Sequence, residues 1–161
     1  MSKWDRRFIE LAILVATWSK DTSTRIGAVI VGPGKDVRSL GYNGFARGVD
    51  DTVKERYNRP LKYLWTIHSE NNALLNALRN HVSVADCTIY LNGFPCASCA
   101  CAIVQAGITK LVGFKPNFND PRWGEEYRET LQMFSEAGVA VKTLNREDFP
   151  GQVLELSPQG Q

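Results

Sequence analysis

Apolar positions recur at helical spacing near the start of the chain. Phe8, Leu11, Ala12, Val15 and Trp18 fall on one face, which predicts a helix over roughly Lys3 to Lys20 with Ser2 as its cap. The period then shortens. Ile26 to Val31 is β-rich and closed by Gly32-Pro33-Gly34, and Val37 to Tyr42 follows as an antiparallel partner, so the two read as a hairpin. No period holds from Asn43 to Thr66, a polar and aromatic connection with room for a short helix; connections of that length in a compact domain usually have a functional use. A second helix is predicted from Thr66 or Ile67 to about Asn80, with Ala73, Leu74, Ala77 and Leu78 on its buried side. Thr88 to Leu91 reads as a strand, Cys96 to Ala106 as a helix closed by Gly107, and Lys110 to Phe114 as another strand. Glu125 to Ala137 forms a helix with Tyr127, Leu131 and Phe134 in register, and Ala140 to Leu144 makes a fifth strand.

An opening hairpin followed by strands alternating with helices predicts an α/β fold: a three-layer α/β/α sandwich with a central five-stranded mixed sheet. Its later strands should be joined by right-handed crossovers. The 161 residues suit one domain, placed here at 1–149, with 150–161 as a polar C-terminal extension. There is no internal repeat. Apolar residues make up 43% and charged residues 22%, an ordinary globular balance. A net charge of +2, with no basic tract, argues against a long nucleic-acid footprint yet leaves room for a small anion held by one or two cations. Phe8 to Trp18 is too short to span a bilayer and lacks a signal-peptide cleavage pattern, so a cytoplasmic protein with no membrane partner is the expectation.

The chemistry concentrates in two short stretches, His68-Ser69-Glu70 and Pro95-Cys96-Ala97-Ser98-Cys99. One histidine and two cysteines supply three ligands for tetrahedral Zn²⁺ and leave a fourth position for water. Glu70, two residues after the histidine and not needed as a ligand, can move protons beside that water. An aspartate would be too short for that reach, and a glutamine could not accept the proton. His-x-Glu followed by Pro-Cys-x-x-Cys is a signature of zinc-dependent nucleobase deaminases. On the predicted elements, His68 and Glu70 open one helix, and Cys96 and Cys99 share the first turn of another. The helix dipole there favours their thiolate forms. A closed structural zinc site would need a fourth protein ligand. Cys101 should point off the shared face, Cys87 reads as a buried hydrophobe and His81 as a surface histidine.

Beyond these motifs, the chain resembles the deoxycytidylate (dCMP) deaminases within the cytidine deaminase superfamily. The likeness rests on the blocks from Ser19 to Val31, Gly41 to Gly48, His68 to Ala73 and Phe94 to Ala100, with a weaker one at Ile103 to Ile108. With the order of elements it spans roughly residues 5–144. The zinc motif alone is shared with tRNA adenosine and other base deaminases, whereas Ser19-Lys20-Asp21 and Gly41-Tyr42-Asn43-Gly44 point to dCMP deaminase. The resemblance implies a cytidine deaminase-like fold, a catalytic Zn²⁺ held by His68, Cys96 and Cys99, and Glu70 as proton carrier. It also suggests that Asn43 contacts the nucleotide. Ala28 or Phe94 would line the base pocket. Ser23, Thr24 and Arg25, or Arg122 and Trp123, are the candidates for the phosphate end. Many members are hexamers activated by dCTP with Mg²⁺ and inhibited by dTTP, which sets the expectation for oligomer and effectors, although a full effector site is not matched residue by residue.

Two departures stand out: His-Ser-Glu where the family usually has His-Ala-Glu, and Ala46 where a proline is common. The aromatic and basic stretch from Tyr57 to Trp65 is a candidate for shaping substrate choice or an oligomer contact. The reading is therefore an enzyme converting dCMP to dUMP and ammonia. Its rivals are deaminases of modified dCMP, free nucleosides or tRNA adenosine, and a catalytically silent zinc-containing nucleotide-binding protein.

Overall fold

The computed structural model describes residues 1–150, so the predicted C-terminal extension falls outside the described residues from 151 onward. Helix α1, Lys3–Ala16, opens with a reciprocal cap: Ser2 Oγ accepts from the Asp5 N–H at 3.0 Å, and the Asp5 carboxylate accepts from the Ser2 N–H. It ends earlier than Lys20, because the N–H groups of Thr17, Trp18 and Ser19 turn back to the carbonyls three residues before them. Trp18 therefore lies past the helix, half exposed and edge-on to Tyr42, rather than in the core.

Strands β1 (Gly27–Val31) and β2 (Val37–Tyr42) form the predicted hairpin. The aperiodic stretch contains a short antiparallel pair, β3 (Gly44–Phe45) with β4 (Thr66–Ile67), a 3-10 turn at Lys54–Tyr57 and the one-turn helix α2 (Lys62–Trp65). Helix α3 spans Ser69–Arg79, later than predicted, because pairing with β3 holds Thr66 and Ile67 extended and leaves His68 as the N-cap. Then follow β5 (Thr88–Leu91), α4 (Ala97–Gln105), β6 (Lys110–Phe114), α5 (Gly124–Glu136) and β7 (Ala140–Leu144). A last 3-10 turn covers Arg146–Asp148.

The five-stranded sheet has the order β2-β1-β5-β6-β7. Its first two pairings are antiparallel and its last two parallel, so the predicted mixed sheet is present. Alternate residues of its strands serve two cores. Ala28, Ile30, Ile89, Leu91 and Leu111 pack with Ala73, Ala100, Ile103 and Phe134 from α3, α4 and α5. Val29, Val31, Tyr90, Val112 and Phe114 pack with Phe8, Ile9, Ala12 and Ile13 of α1. Burial on both faces is why β1 reads as an unbroken apolar run.

The α3 helix lies unusually close to the sheet. A Cβ on Gly41 would sit 2.3 Å from the Ser69 carbonyl oxygen and the Ala73 nitrogen, so only glycine fits there. A helix that close has room for Ala73 and Ala77 against the strands; Leu78, predicted to be buried, is turned outward and 71% exposed. This close docking brings the start of α3 beside the C-terminal end of β5, where the starts of α4 and α5 also gather. Ligands collect at such strand ends in α/β domains.

Candidate metal centre and active site

Cys96 is the N-cap of α4 and Cys99 lies in its first turn, while His68 is the N-cap of α3. His68 Nδ1 stands 3.4 Å from Cys96 Sγ and 3.5 Å from Cys99 Sγ, and the three ligand atoms all lie within 4.8 Å of one another. Tetrahedral zinc with ordinary Zn–N and Zn–S lengths requires nitrogen–sulfur edges of about 3.6 Å. The donor set therefore fits zinc in both kind and spacing. Cys96 is pulled down to about 3 by hydrogen bonding from the Cys99 thiol, against the opposing effect of burial, with His68 adding to the shift. Cys99 is pushed up by the same pairing and by burial. Cys101 is exposed, with its sulfur against Met133, and Cys87 is buried in the core, as the sequence suggested for both.

Glu70 is 4% exposed and is the second residue of α3, two positions after His68. Burial pushes its carboxyl above the ordinary glutamate value, against the pull of its own backbone N–H and of His68. The fully buried Ser69 hydroxyl donates to Glu70 Oε2 at 2.9 Å, an anchor that an alanine at this position could not supply.

A pocket opens beside this cluster. Of the residues singled out in the sequence, Thr24, Asn43, His68, Glu70, Phe94, Cys96 and Trp123 line it. Phe94 stands edge-on to Tyr127, with ring centroids 5.5 Å apart. Ala28 is not on this wall: it is fully buried in the core between sheet and helices, because its position in β1 faces α3. Arg25 is turned back, its Nε donating to the Asp21 carbonyl, and the Ser23 hydroxyl is held between Asp21 and Lys62. Arg122 lies over the rings of Tyr63 and Trp123 and donates to the Tyr63 hydroxyl.

Asn43 is engaged by the protein itself. Its Oδ1 accepts from the Ile26 N–H at 2.8 Å, and its Nδ2 donates to the Thr24 carbonyl at 2.8 Å. Asp21 organises the same wall, accepting from the N–H groups of Ser23 and Thr24 and forming an ion pair with Lys62 at 2.7 Å, both side chains nearly inaccessible. Burial alone would raise the Asp21 carboxyl, but Lys62 and the two backbone donors outweigh it and hold it below the usual aspartate value.

Asp21, Lys62, Arg59, Tyr63 and Tyr127 all line the pocket and were not among the sequence candidates. Three of them belong to the aromatic and basic stretch from Tyr57 to Trp65, whose composition was the available signal. Tyr127 gave none, since its helical register marked it as packing.

A sequence model of the cytidine and deoxycytidylate deaminase zinc-binding region matches residues 2–115. An uncharacterised deaminase in the luxG 3′ region of Aliivibrio fischeri is 43% identical over 147 residues, covering 89% of this chain and 95% of that protein. Mouse deoxycytidylate deaminase is 33% identical over 145 residues, covering 87% of this chain and 79% of its own. Among solved structures, the dCMP deaminase of cyanophage S-TIM5 in complex with dCMP and dUMP superposes with a TM-score of 0.73 at 20% identity, covering 89% of this chain and 99% of that one. This last likeness concerns the fold.

Proposed function

This chain belongs to the cytidine and deoxycytidylate deaminase family of zinc-dependent hydrolytic deaminases, and from that premise we propose that it converts dCMP to dUMP and ammonia. The observation that carries the proposal is the buried Glu70 carboxyl beside a His68–Cys96–Cys99 donor set, with Glu70, His68 and Cys96 on the wall of an open pocket.

In this reading His68, Cys96 and Cys99 hold the metal. When bound, Zn²⁺ supplies the Lewis acidity that makes water nucleophilic near neutral pH. Glu70 takes one proton from the attacking water and passes it to N3 of the cytosine ring; it then takes the proton of the new C4 hydroxyl and delivers it to the amine, so that the C4–N bond breaks, ammonia leaves and C4 becomes the uracil carbonyl. A carboxyl whose proton affinity is raised by burial is suited to accept and return a proton in turn. Ser69 holds that carboxyl in one orientation. Phe94 and Tyr127 form the apolar wall for the ring, with Trp123 closing it. The Asn43 side chain, bonded to the Thr24 carbonyl and the Ile26 N–H, keeps those two residues in place on the pocket wall, where it stands within reach of the nucleotide. Arg59 on the wall and Arg122 beside Tyr63 supply positive charge for the phosphate.

The proposal extends to the family's regulation by dCTP with Mg²⁺ and by dTTP, to a hexamer, and to a cytoplasmic location. Exposed Leu75 and Leu78 on α3 support an oligomer contact. Among the described residues no helix is long and apolar enough to cross a membrane.

The test is ammonia release from cytidine, deoxycytidine, dCMP, methyl- and hydroxymethyl-dCMP and dCTP, with and without dCTP, dTTP and Mg²⁺. Turnover of dCMP well above deoxycytidine is expected. No activity on any deoxynucleotide would defeat the substrate assignment, and equal activity on deoxycytidine and dCMP would remove the phosphate contact.

A further inference from the structure

We propose that Glu126 is a positioning residue of the metal centre, which caps from a neighbouring helix the turn that carries Cys96 and Cys99. The need for it follows from the sequence of α4. A helix start leaves backbone N–H groups without partners, and a Ser, Thr, Asp or Asn side chain at the N-cap normally accepts from one of them. Here the N-cap is Cys96, whose side chain makes no capping bond. Its sulfur is turned to His68 Nδ1 instead. That sulfur, facing His68, makes no bond to the N–H of Ala97.

The partner comes from elsewhere in the fold. The N–H of Ala97, the first residue of α4, donates to Glu126 Oε1 at 2.8 Å across 29 positions of sequence. A carboxylate there also meets the positive end of the helix dipole. Glu126 lies in the first turn of α5, half-buried, between Trp123 and Tyr127, and both of those side chains line the pocket. One turn of α5 thus shapes the substrate wall and, through Glu126, holds the start of α4 in place relative to His68. Groups that orient metal ligands from outside the coordination sphere commonly contribute a factor of about 10–100 to metal affinity.

This inference rests on the zinc reading of the cluster, and the test separates the two. The full chain is stripped with a chelator and titrated with Zn²⁺ against a chromophoric competitor, for wild type and for Glu126→Gln, Glu126→Asp, Glu126→Ala and the exposed neighbour Glu125→Ala. Gln keeps both the reach and an acceptor oxygen, whereas Asp keeps the charge and loses the reach. Glu126→Gln and Glu125→Ala should bind zinc within about threefold of wild type, and Glu126→Asp and Glu126→Ala about 10–100-fold more weakly. Far-UV circular dichroism of the metal-free proteins at the titration temperature, expected to match wild type even where loss of the cap lowers the melting temperature by a few degrees, shows that the weaker binding is not a loss of folding. Wild-type affinity in Glu126→Ala, or a loss in Glu126→Gln as large as in Glu126→Ala, overturns the capping role while leaving the zinc site standing. Absence of a stoichiometric zinc site in the wild type overturns both.

Discussion

Glu70 shows how much a single side chain takes from its surroundings. Its type and its spacing from His68 were enough to nominate it, and its burial beside Ser69 makes it a carboxyl suited to accept and release a proton. Glu70→Gln should retain one zinc per chain, since glutamate is not among the three ligands, and lose at least the factor of about 10²–10⁴ that general acid–base catalysis contributes. Metal content by mass spectrometry and ammonia release from dCMP check it together; near wild-type turnover in a zinc-loaded variant would remove Glu70 from the mechanism. Lys62 is the opposite case. A lysine in an aperiodic polar stretch reads as solvated surface, and nothing local distinguishes it from Lys54. Only the approach of Asp21, 41 positions away in sequence, makes it a buried cation that ties that stretch to the pocket wall.

At the scale of elements, α3 is placed by contact with β2 more than by its own propensity. Sequence period predicted the helix but started it too early and put Leu78 inside, because period cannot tell how closely a helix docks. Gly41 decides both, since its missing Cβ lets the helix backbone rest on the strand and leaves space only for Ala73 and Ala77 beneath. Gly41→Ala is therefore predicted to push α3 outward at a cost at the upper end of the about 1–3 kcal/mol typical of overpacking. His68 should move with it. Urea unfolding and zinc titration of the variant should fall together, and unchanged zinc affinity would show that α3 holds its ligand independently of that contact.

For the whole molecule, two acidic groups tie distant parts of the chain together. Asp21 joins the Tyr57 to Trp65 stretch through Lys62, and Asp5 joins α1 to β7 through Lys142 at 2.6 Å, with the Tyr90 hydroxyl also on its carboxylate. For Asp5, as for Asp21, burial would raise the carboxyl, yet Lys142 and the Ser2 cap prevail and hold it low. Both folded-state values lie below the unfolded value near 4, so these groups bind fewer protons folded than unfolded at that pH. The stability they contribute is present above about pH 4 and is lost as pH falls through the folded-state values. Urea unfolding of the metal-free protein from pH 6 to pH 3 should show this decline. Asp5→Asn and Asp21→Asn should each flatten it, and slopes identical to wild type would mean that neither pair is linked to folding.

The layering of the fold and the kind of chemistry proposed for it were legible along the chain. The His68, Cys96 and Cys99 donor group and the nearby Glu70 stand out by residue type at short fixed spacing, and strands and helices by the period of their apolar positions; both are local properties of the chain. Tertiary structure alone decided which aromatic and charged residues face the pocket, that Ala28 belongs to the core, and that Cys96 leaves its helix to be capped by Glu126. Each of these depends on contacts between segments tens of residues apart, where the distance of approach and the burial of charge are set by packing that no local pattern records.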